Sequence, residues 1–156
     1  LTANHNGNTQ MRISINPKEI IKKVEFGTSS LKSRIIAANK MFEAGYKIGL
    51  NIAPIILEEG WEVMYCNMFK EIKEALLPKL KEQLFIEVIF MTYGLSNFYI
   101  NTESMPKAVN LLDKDKMRPK GAGKYTYRSE YRNPAEKVIR QYIKKYLPEA
   151  TISYIV

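Results

Sequence analysis

The feature that most constrains the fold is a regular alternation of two hydrophobic patterns in the first half of the sequence. Short apolar segments rich in β-branched residues occupy 11–15, 47–56 and 84–91, which is the pattern of buried strands. Between them, residues 31–44 and 61–76 carry apolar side chains at helical spacing. Strands that alternate with such helices pair in parallel through right-handed crossovers, so we predict an α/β protein.

Local signals place further elements. Residues 16–19 read Asn-Pro-Lys-Glu, with Asn as a helix N-cap, Pro at the first helical position and Glu in the first turn. The helix that they open is predicted to end near Gly27. Residues 133–136 repeat this signature and open a helix to about Leu147, which is followed by a predicted strand at 151–155.

The sequence between the third strand and the last helix is different. Gly and Pro residues at 118–123 are turn formers, so residues 109–116 and 124–128 are predicted to pair as a β-hairpin. Residues 97–107 have a weak, polar pattern that predicts no element. The chain divides into βα units at 1–108, the hairpin at 109–132, and a C-terminal helix and strand at 133–156 that belong to the same domain.

Three parallel βα units form half of a barrel or half of an open sheet. The strand at 11–15 would then lie at an edge without a partner in this sequence, and an exposed apolar edge is unfavourable. The sequence also begins at Leu1 rather than Met and lacks the pattern of a signal peptide. We therefore expect an N-terminal half of the same protein to supply the neighbouring strands.

Composition limits the classes of partner. The chain carries 24 basic and 16 acidic residues, a net charge of +8, which favours a polyanion such as nucleic acid, although ordinary surface charge explains it equally well. No apolar run reaches the roughly 18 residues that cross a bilayer. An anionic membrane ranks second to nucleic acid as a partner for the basic charge, and no membrane partner is expected. Cys66 is the single cysteine, which excludes an internal disulfide and a cysteine-rich metal site.

The clearest local signal is the segment 114–132. It contains seven basic and two acidic residues, with three tyrosines interleaved. Basic side chains neutralise phosphates and aromatic faces stack on displaced bases, so the segment predicts a nucleic-acid interface. The alternative is a solvated hairpin with its tyrosines on the core face. The residues predicted to contact DNA are Lys116, Arg118, Lys120, Gly121, Gly123, Lys124, Tyr125 and Tyr127.

A second candidate site lies at the carboxyl ends of the strands, where parallel α/β proteins bind ligands. Ser14 and Asn16 share one face of the first strand, and Ala53 with Pro54 ends the second. A hydroxyl, an amide and a free carbonyl there can bind a ribose, an amino acid or an adenine; alternatively, Asn16 only caps its helix and Pro54 only ends the strand. No metal-binding role is assigned to His5, which has no second ligand nearby, and no residue of this chain is assigned a catalytic role.

An ordered set of motifs resembles the spore photoproduct lyase family. Examples are Asn-Gly-Asn-Thr at 6–9, Glu-Phe-Gly-Thr-Ser at 25–29 and Gly-Ala-Gly-Lys-Tyr at 121–125. The motifs cover nearly the whole chain in the family's order. One departure is Arg-Pro-Lys at 118–120, where the family hairpin commonly has Gly-Arg-Tyr.

The resemblance implies the C-terminal half of a partial (β/α)6 barrel of the radical S-adenosylmethionine class, with an added β-hairpin. In this family a Cys-x3-Cys-x2-Cys motif, which would lie in the missing N-terminal half, holds a [4Fe–4S] cluster. The cluster and S-adenosylmethionine generate a radical that splits a thymine dimer, 5-thyminyl-5,6-dihydrothymine, in double-stranded spore DNA. Cys66 matches none of the family's cysteines. The resemblance implies a carbon–carbon lyase of the spore cytoplasm, and this fragment alone is expected to be inactive.

The resemblance also assigns site residues. Ser14, Asn16 and Ala53 are similar to the family's S-adenosylmethionine contacts, and residues 121–125 are similar to the hairpin that enters DNA beside the lesion. Because Lys120 replaces the family's tyrosine, the contacts at the hairpin tip differ. Two alternatives stay open: a radical S-adenosylmethionine enzyme with a substrate other than DNA, and a DNA-binding domain without enzymatic activity.

Overall fold

The computed structural model describes residues 4–106 and 109–156 of the chain. Seven strands and six helices follow one another in this part. In chain order they are β1 (Gln10–Ile15), α1 (Lys18–Val24), α2 (Leu31–Glu43), β2 (Lys47–Ile55), α3 (Trp61–Ala75), α4 (Pro78–Lys81), β3 (Phe85–Phe90), β4 (Thr92–Gly94), α5 (Leu95–Ser104), β5 (Met117–Gly121), β6 (Lys124–Tyr127), α6 (Ser129–Tyr146) and β7 (Thr151–Ile155).

The main sheet has four parallel strands in the order β1-β2-β3-β7. The α/β class and the predicted strands at the start and end of the chain are confirmed. The sheet is open within the described residues, with β1 at one edge as predicted and β7 at the other. The last strand thus joins the sheet beside β3, a position that its own sequence does not specify.

The two faces of the main sheet differ in polarity because side chains alternate along each strand. Leu50 and Ile52 of β2 are buried, and so are Ile86 and Val88 of β3. Helix α2 packs against β1 and β2. Alternating with these residues, Ser14, Asn51 and Glu87 stand side by side across three strands. The sheet therefore has one apolar face and one that carries polar groups.

A buried carboxylate lies on the polar face. Glu87 is only 3% exposed, and its two carboxylate oxygens accept hydrogen bonds from Nε of Arg12 at 2.9 and 3.0 Å. The Arg12 side chain remains half exposed. A buried charge needs such a partner, so β1 and β3 are joined across β2 by an ion pair as well as by backbone bonds.

A second, antiparallel sheet has the strand order β4-β6-β5. The predicted hairpin is present, but its first strand is β5 rather than residues 109–116. The carboxylate of Asp113 accepts hydrogen bonds from the backbone amides of Asp115 and Lys116, both at 3.1 Å. This local turn occupies amides that a strand would have used for pairing.

Three predicted boundaries are also wrong. The N-cap position of α1 is Pro17 rather than Asn16. Strand β2 continues past Pro54 to Ile55. Helix α6 starts at Ser129 rather than at Asn133 and contains Pro134. Two contacts of Arg132 stabilise the early start of α6: an ion pair with Glu136 one turn further along the same helix, and a tertiary contact with the ring of Phe90. These contacts offset the backbone hydrogen bond that proline removes.

Helix α5 falls where the sequence predicts no element. Its ten residues include none that is buried, so no apolar stripe marks it in the sequence. Across residues 4–106 and 109–156, no helix has the length and apolar character to cross a membrane.

Candidate functional site

The carboxyl ends of β1 and β2 meet at Asn16. This side chain is fully buried, and its Nδ2 donates to Oε1 of Glu25 at 2.7 Å and to the carbonyl oxygen of Ala53 at 3.1 Å. The structure thus brings together two residues, Asn16 and Ala53, that the sequence analysis selected separately. The amide is engaged in contacts between strands and a loop instead of capping α1.

Glu25 is held in turn by Arg34 of α2. The guanidinium donates to Oε2 of Glu25, to the carbonyl oxygens of Ser14 and Ser29 at 3.1 and 2.9 Å, and to Oγ1 of Thr28 at 2.8 Å. Its side chain is 11% exposed, so water screens these contacts little. Arg34 therefore ties the loop between α1 and α2 to the last residues of β1.

All three predicted cofactor residues belong to this network. Ser14 enters through its backbone carbonyl, and its side chain is exposed. Glu25 and Arg34 connect Ser14 to Asn16. The sequence analysis predicted no role for either residue. Glu25 stands in the stretch 25–29 that resembles the family, and the resemblance continues at Arg34-Ile35; this resemblance is the only signal that pointed to the two residues.

One polar atom of the network has no partner. Both acceptors near Asn16 face its Nδ2, so the carbonyl oxygen Oδ1 points the other way. Oδ1 is buried and accepts no hydrogen bond from any of the described residues. A buried acceptor left in this state costs about 1–3 kcal/mol, so a donor from a ligand would be favourable here.

The segment that follows Ala53 is fixed by three side chains. The hydroxyl of Tyr65 accepts from the amide of Ile56 at 3.0 Å. At Leu57, the amide donates to the hydroxyl of Tyr127 at 2.9 Å, and the carbonyl accepts from Nζ of Lys116 at 3.0 Å. Because Tyr127 and Lys116 belong to the hairpin, these bonds connect the hairpin base to the end of β2.

Two of the residues predicted to contact DNA therefore have structural roles. Tyr127 is 3% exposed, and desolvation raises the pKa of its hydroxyl to about 12. Its ring has no free face on which a base could stack. Lys116 bonds to Leu57 and pairs with Asp113 at 3.2 Å, so its charge is already compensated. Both residues hold the hairpin base; Tyr127 is buried, whereas the side chain of Lys116 is 33% exposed, so its contact with DNA stays a prediction.

Replacing Tyr127 by Phe is expected to lower the free energy of unfolding by about 1–3 kcal/mol. The substitution keeps the ring but leaves the buried amide of Leu57 without an acceptor. Urea unfolding of the full-length protein measures the change. Tyr131, which is 39% exposed, provides the control, since Tyr131→Phe should change stability by no more than about 0.5 kcal/mol. Equal stability of both variants would show that the hydroxyl of Tyr127 does not anchor the hairpin.

The hairpin tip has the other predicted features. Arg118, Lys120 and Lys124 are exposed, and Tyr125 is half-buried. None of the three basic residues forms a salt bridge with another residue in the described part of the chain. Their charges are thus available to an external anion.

Backbone geometry explains the glycines at the tip. Gly121 pairs with Lys124, so Ala122 and Gly123 form a two-residue turn with φ angles of 49° and 67°. Positive φ at both positions matches the twist of a tight hairpin. Gly121 has a φ of 102°, which side chains rarely adopt, and a Cβ at Gly121 or Gly123 would contact nothing within 4 Å. The glycines are therefore required by conformation, and they leave the tip open.

Cys66 and His5 have local partners. The Sγ atom of Cys66 lies 3.3 Å from the hydroxyl of Tyr146, between helices α3 and α6. The ring of His5 stacks on Tyr46 with centroids 4.0 Å apart. Among the described residues, no group of three or more His, Cys, Asp or Glu side chains could hold a metal ion.

The fold and the site together define a class of protein. It is an α/β protein with a parallel sheet, hydrogen-bonding groups at the carboxyl ends of two neighbouring strands, and an exposed basic hairpin that is anchored beside them. Proteins of this class bind their ligands at that end of the sheet.

The chain belongs to the spore photoproduct lyase family, whose sequence model matches residues 1–156. It is 36% identical to the spore photoproduct lyase of Bacillus subtilis and 35% identical to that of a Geobacillus species, over 99% of this chain in each case. The chain spans about half the length of the curated relatives it matches, since it covers 46% of each. The resemblance noted in the sequence is thereby confirmed.

Solved structures agree with this assignment. A spore photoproduct lyase double mutant with bound AdoMet and dinucleoside spore photoproduct matches with a TM-score of 0.92 at 36% identity. The match covers 99% of this chain and 47% of that one. A second structure, a spore photoproduct lyase complexed with dinucleoside spore photoproduct, matches with the same TM-score, identity and coverage.

Proposed function

We propose that this chain is the C-terminal part of a spore photoproduct lyase that repairs 5-thyminyl-5,6-dihydrothymine in double-stranded DNA. The observation that carries the proposal is the agreement in both sequence and structure with lyases of this family, at 36% identity and a TM-score of 0.92. Those relatives are about twice as long as this chain, so the activity is assigned to a full-length protein of which this chain is one part.

The architecture supports the same assignment. The open four-stranded sheet has one face that carries polar groups, and β1 lies at an edge without a partner strand among the described residues. In the proposal, an N-terminal half pairs with this edge and completes a partial (β/α)6 barrel whose interior is the polar face. Residues 1–108 and 133–156 then belong to the barrel, and residues 109–132 contain the added hairpin.

The residues at the strand ends fit S-adenosylmethionine, which supplies the hydrogen-abstracting chemistry of radical enzymes. Ser14, Asn16 and Ala53 converge there, and the unpartnered Oδ1 of Asn16 requires a donor. S-adenosylmethionine offers donors in its ribose hydroxyls, its amino group and its adenine. The role of these residues is to bind and orient the cofactor.

The residues of this chain do not fit an iron–sulfur cluster. A [4Fe–4S] cluster is held by several cysteines, and Cys66 is the single cysteine of the sequence. In the proposal, the N-terminal half of the same protein therefore holds the [4Fe–4S] cluster. The DNA contacts, by contrast, lie within this chain, at Arg118, Lys120, Lys124 and Tyr125, with Gly121 and Gly123 allowing close approach.

A repair assay tests the proposal. The full-length protein, reconstituted without oxygen and supplied with a reductant and S-adenosylmethionine, should convert dinucleoside spore photoproduct to two thymidine nucleosides. Chromatography of the products measures the conversion. A reconstituted protein that binds the cofactor but leaves the lesion intact would show that the family assignment does not extend to the substrate.

Replacing Asn16 by Ala in the full-length protein should weaken the binding of S-adenosylmethionine by about 1–3 kcal/mol, because one buried hydrogen bond is lost. Calorimetric titration measures the affinity. Asn133, an exposed asparagine of α6, supplies the control, and Asn133→Ala should leave the affinity unchanged. If both variants bind as the unaltered protein does, Asn16 does not contact the cofactor.

A further inference from the structure

The orientation of the Asn16 amide is set by its neighbours. Its Nδ2 faces two acceptors, Oε1 of Glu25 at 2.7 Å and the Ala53 carbonyl at 3.1 Å. Turning the amide over would place Oδ1 against these two oxygens, which repel it. The acceptor of Asn16 is therefore directed away from them and toward whatever donor is bound there.

Of the two acceptors, only Glu25 is a side chain and can be changed by substitution, because Ala53 contributes its backbone carbonyl. Its other carboxylate oxygen accepts from Arg34, and the Glu25 and Arg34 side chains are 20% and 11% exposed. Arg34 cannot move freely, because it also donates to Ser14, Thr28 and Ser29. The carboxylate is thus held in one place with its charge compensated.

We propose that Glu25, held by Arg34, is a positioning residue that fixes the Asn16 amide so that Oδ1 accepts a hydrogen bond from S-adenosylmethionine. This inference rests on the proposed function of the site. The buried, unpartnered state of Oδ1 is the observation that points to a ligand. Glu25 does not touch the cofactor in this scheme and acts only through Asn16.

The near-isosteric change Glu25→Gln separates orientation from packing. Arg34 has only donors, so an amide at position 25 turns its single oxygen toward Arg34 and its NH2 group toward Asn16. The Asn16 amide then has no satisfied orientation: unturned, its NH2 group faces that of the new side chain at position 25, and turned over, its Oδ1 faces the Ala53 carbonyl oxygen. The orientation that offers Oδ1 to the cofactor is therefore no longer stabilised, although the volume at position 25 is unchanged.

The test is a calorimetric titration of the full-length protein with S-adenosylmethionine. Glu25→Gln should weaken binding roughly 5- to 100-fold, the range for one lost buried hydrogen bond. Glu136→Gln is the matched control, because Glu136 is 21% exposed and also pairs with arginines, Arg132 and Arg140. The control should bind within about twofold of the unaltered protein, since surface pairs contribute little. Equal affinity of the two variants would overturn the inference.

A double-mutant cycle excludes a purely structural role. In a protein that already carries Asn16→Ala, adding Glu25→Gln should reduce affinity by less than about twofold, because the group through which Glu25 acts is absent. If the two changes instead multiply, Glu25 does not act through Asn16 and the inference fails. Circular dichroism of each variant confirms that the fold is retained; should Glu25→Gln not fold, Glu25→Asp, which keeps the carboxylate, should restore both fold and affinity.

The donor belongs either to the nucleoside of the cofactor, as a ribose hydroxyl or the adenine amino group, or to its amino acid. 5′-Methylthioadenosine keeps the nucleoside and lacks the amino acid, so its titration distinguishes the two. A loss with both ligands on Glu25→Gln assigns the donor to the nucleoside, and a loss with S-adenosylmethionine alone assigns it to the amino group of the amino acid. If the unaltered protein binds no S-adenosylmethionine, both the proposed function and this inference are wrong. If Glu25→Gln binds S-adenosylmethionine with the affinity of the unaltered protein, only this inference is wrong.

Discussion

Replacing Lys120 and Lys124 by alanine in the full-length protein is expected to weaken DNA binding on the order of 50-fold at 0.1 M salt. Both side chains are exposed at the open tip of the hairpin. Each phosphate contact releases condensed counterions and contributes about 0.9 to the slope of log K against log salt. With Lys116 engaged at the hairpin base, the contacts at the tip are Arg118, Lys120 and Lys124, so we expect the tip to contribute about −2.7 to the slope.

The double substitution should reduce the contribution of the tip to about −0.9 and weaken binding to damaged and undamaged duplexes alike. Fluorescence anisotropy over a series of salt concentrations measures both quantities. Lys137 and Lys144 are exposed on α6, and their replacement by alanine removes the same net charge from a different surface. If the two double variants lose the same affinity, only the net charge matters and the hairpin is not a specific DNA contact.

Replacing Arg34 by Met should lower the free energy of unfolding by about 3 kcal/mol, near the lower end of the range for breaking a buried ion pair. Methionine keeps most of the apolar stem but leaves the carboxylate of Glu25 and the carbonyls of Ser14 and Ser29 without their donor. The partial exposure of Glu25 allows some rehydration, which limits the loss.

Urea unfolding of the full-length protein measures this effect. Arg140→Met is the control, since Arg140 pairs with Glu136 at 2.8 Å but is 50% exposed, and its loss should cost at most about 1 kcal/mol. A change no larger than that of the control would show that the Arg34 network is not a significant source of stability.

The sequence by itself determined much of the fold. Apolar β-branched runs predicted β1, β2, β3 and β7, and apolar residues at helical spacing predicted α2 and α3, because these patterns report burial of one face of each element. The sequence also pointed to Ser14, Asn16 and Ala53 as candidate site residues, since parallel strands end at a common edge. Charge and glycine spacing marked the hairpin tip in the same way.

Other features depend on residues that are distant in sequence, so no local pattern reveals them. Asn16 has the signature of an N-cap, yet its Nδ2 is held by Glu25 and Ala53, and its Oδ1 accepts no hydrogen bond from the amides of α1. The spacing of the interleaved tyrosines does not show which ring is buried. Tyr127 is the buried one, and its hydroxyl accepts a hydrogen bond from the amide of Leu57. The order of the strands in the main sheet likewise depends on which apolar faces pack together. Local propensity amounts to tenths of a kcal/mol per residue, whereas a buried hydrogen bond or ion pair amounts to about one or more, so tertiary contacts decided these positions.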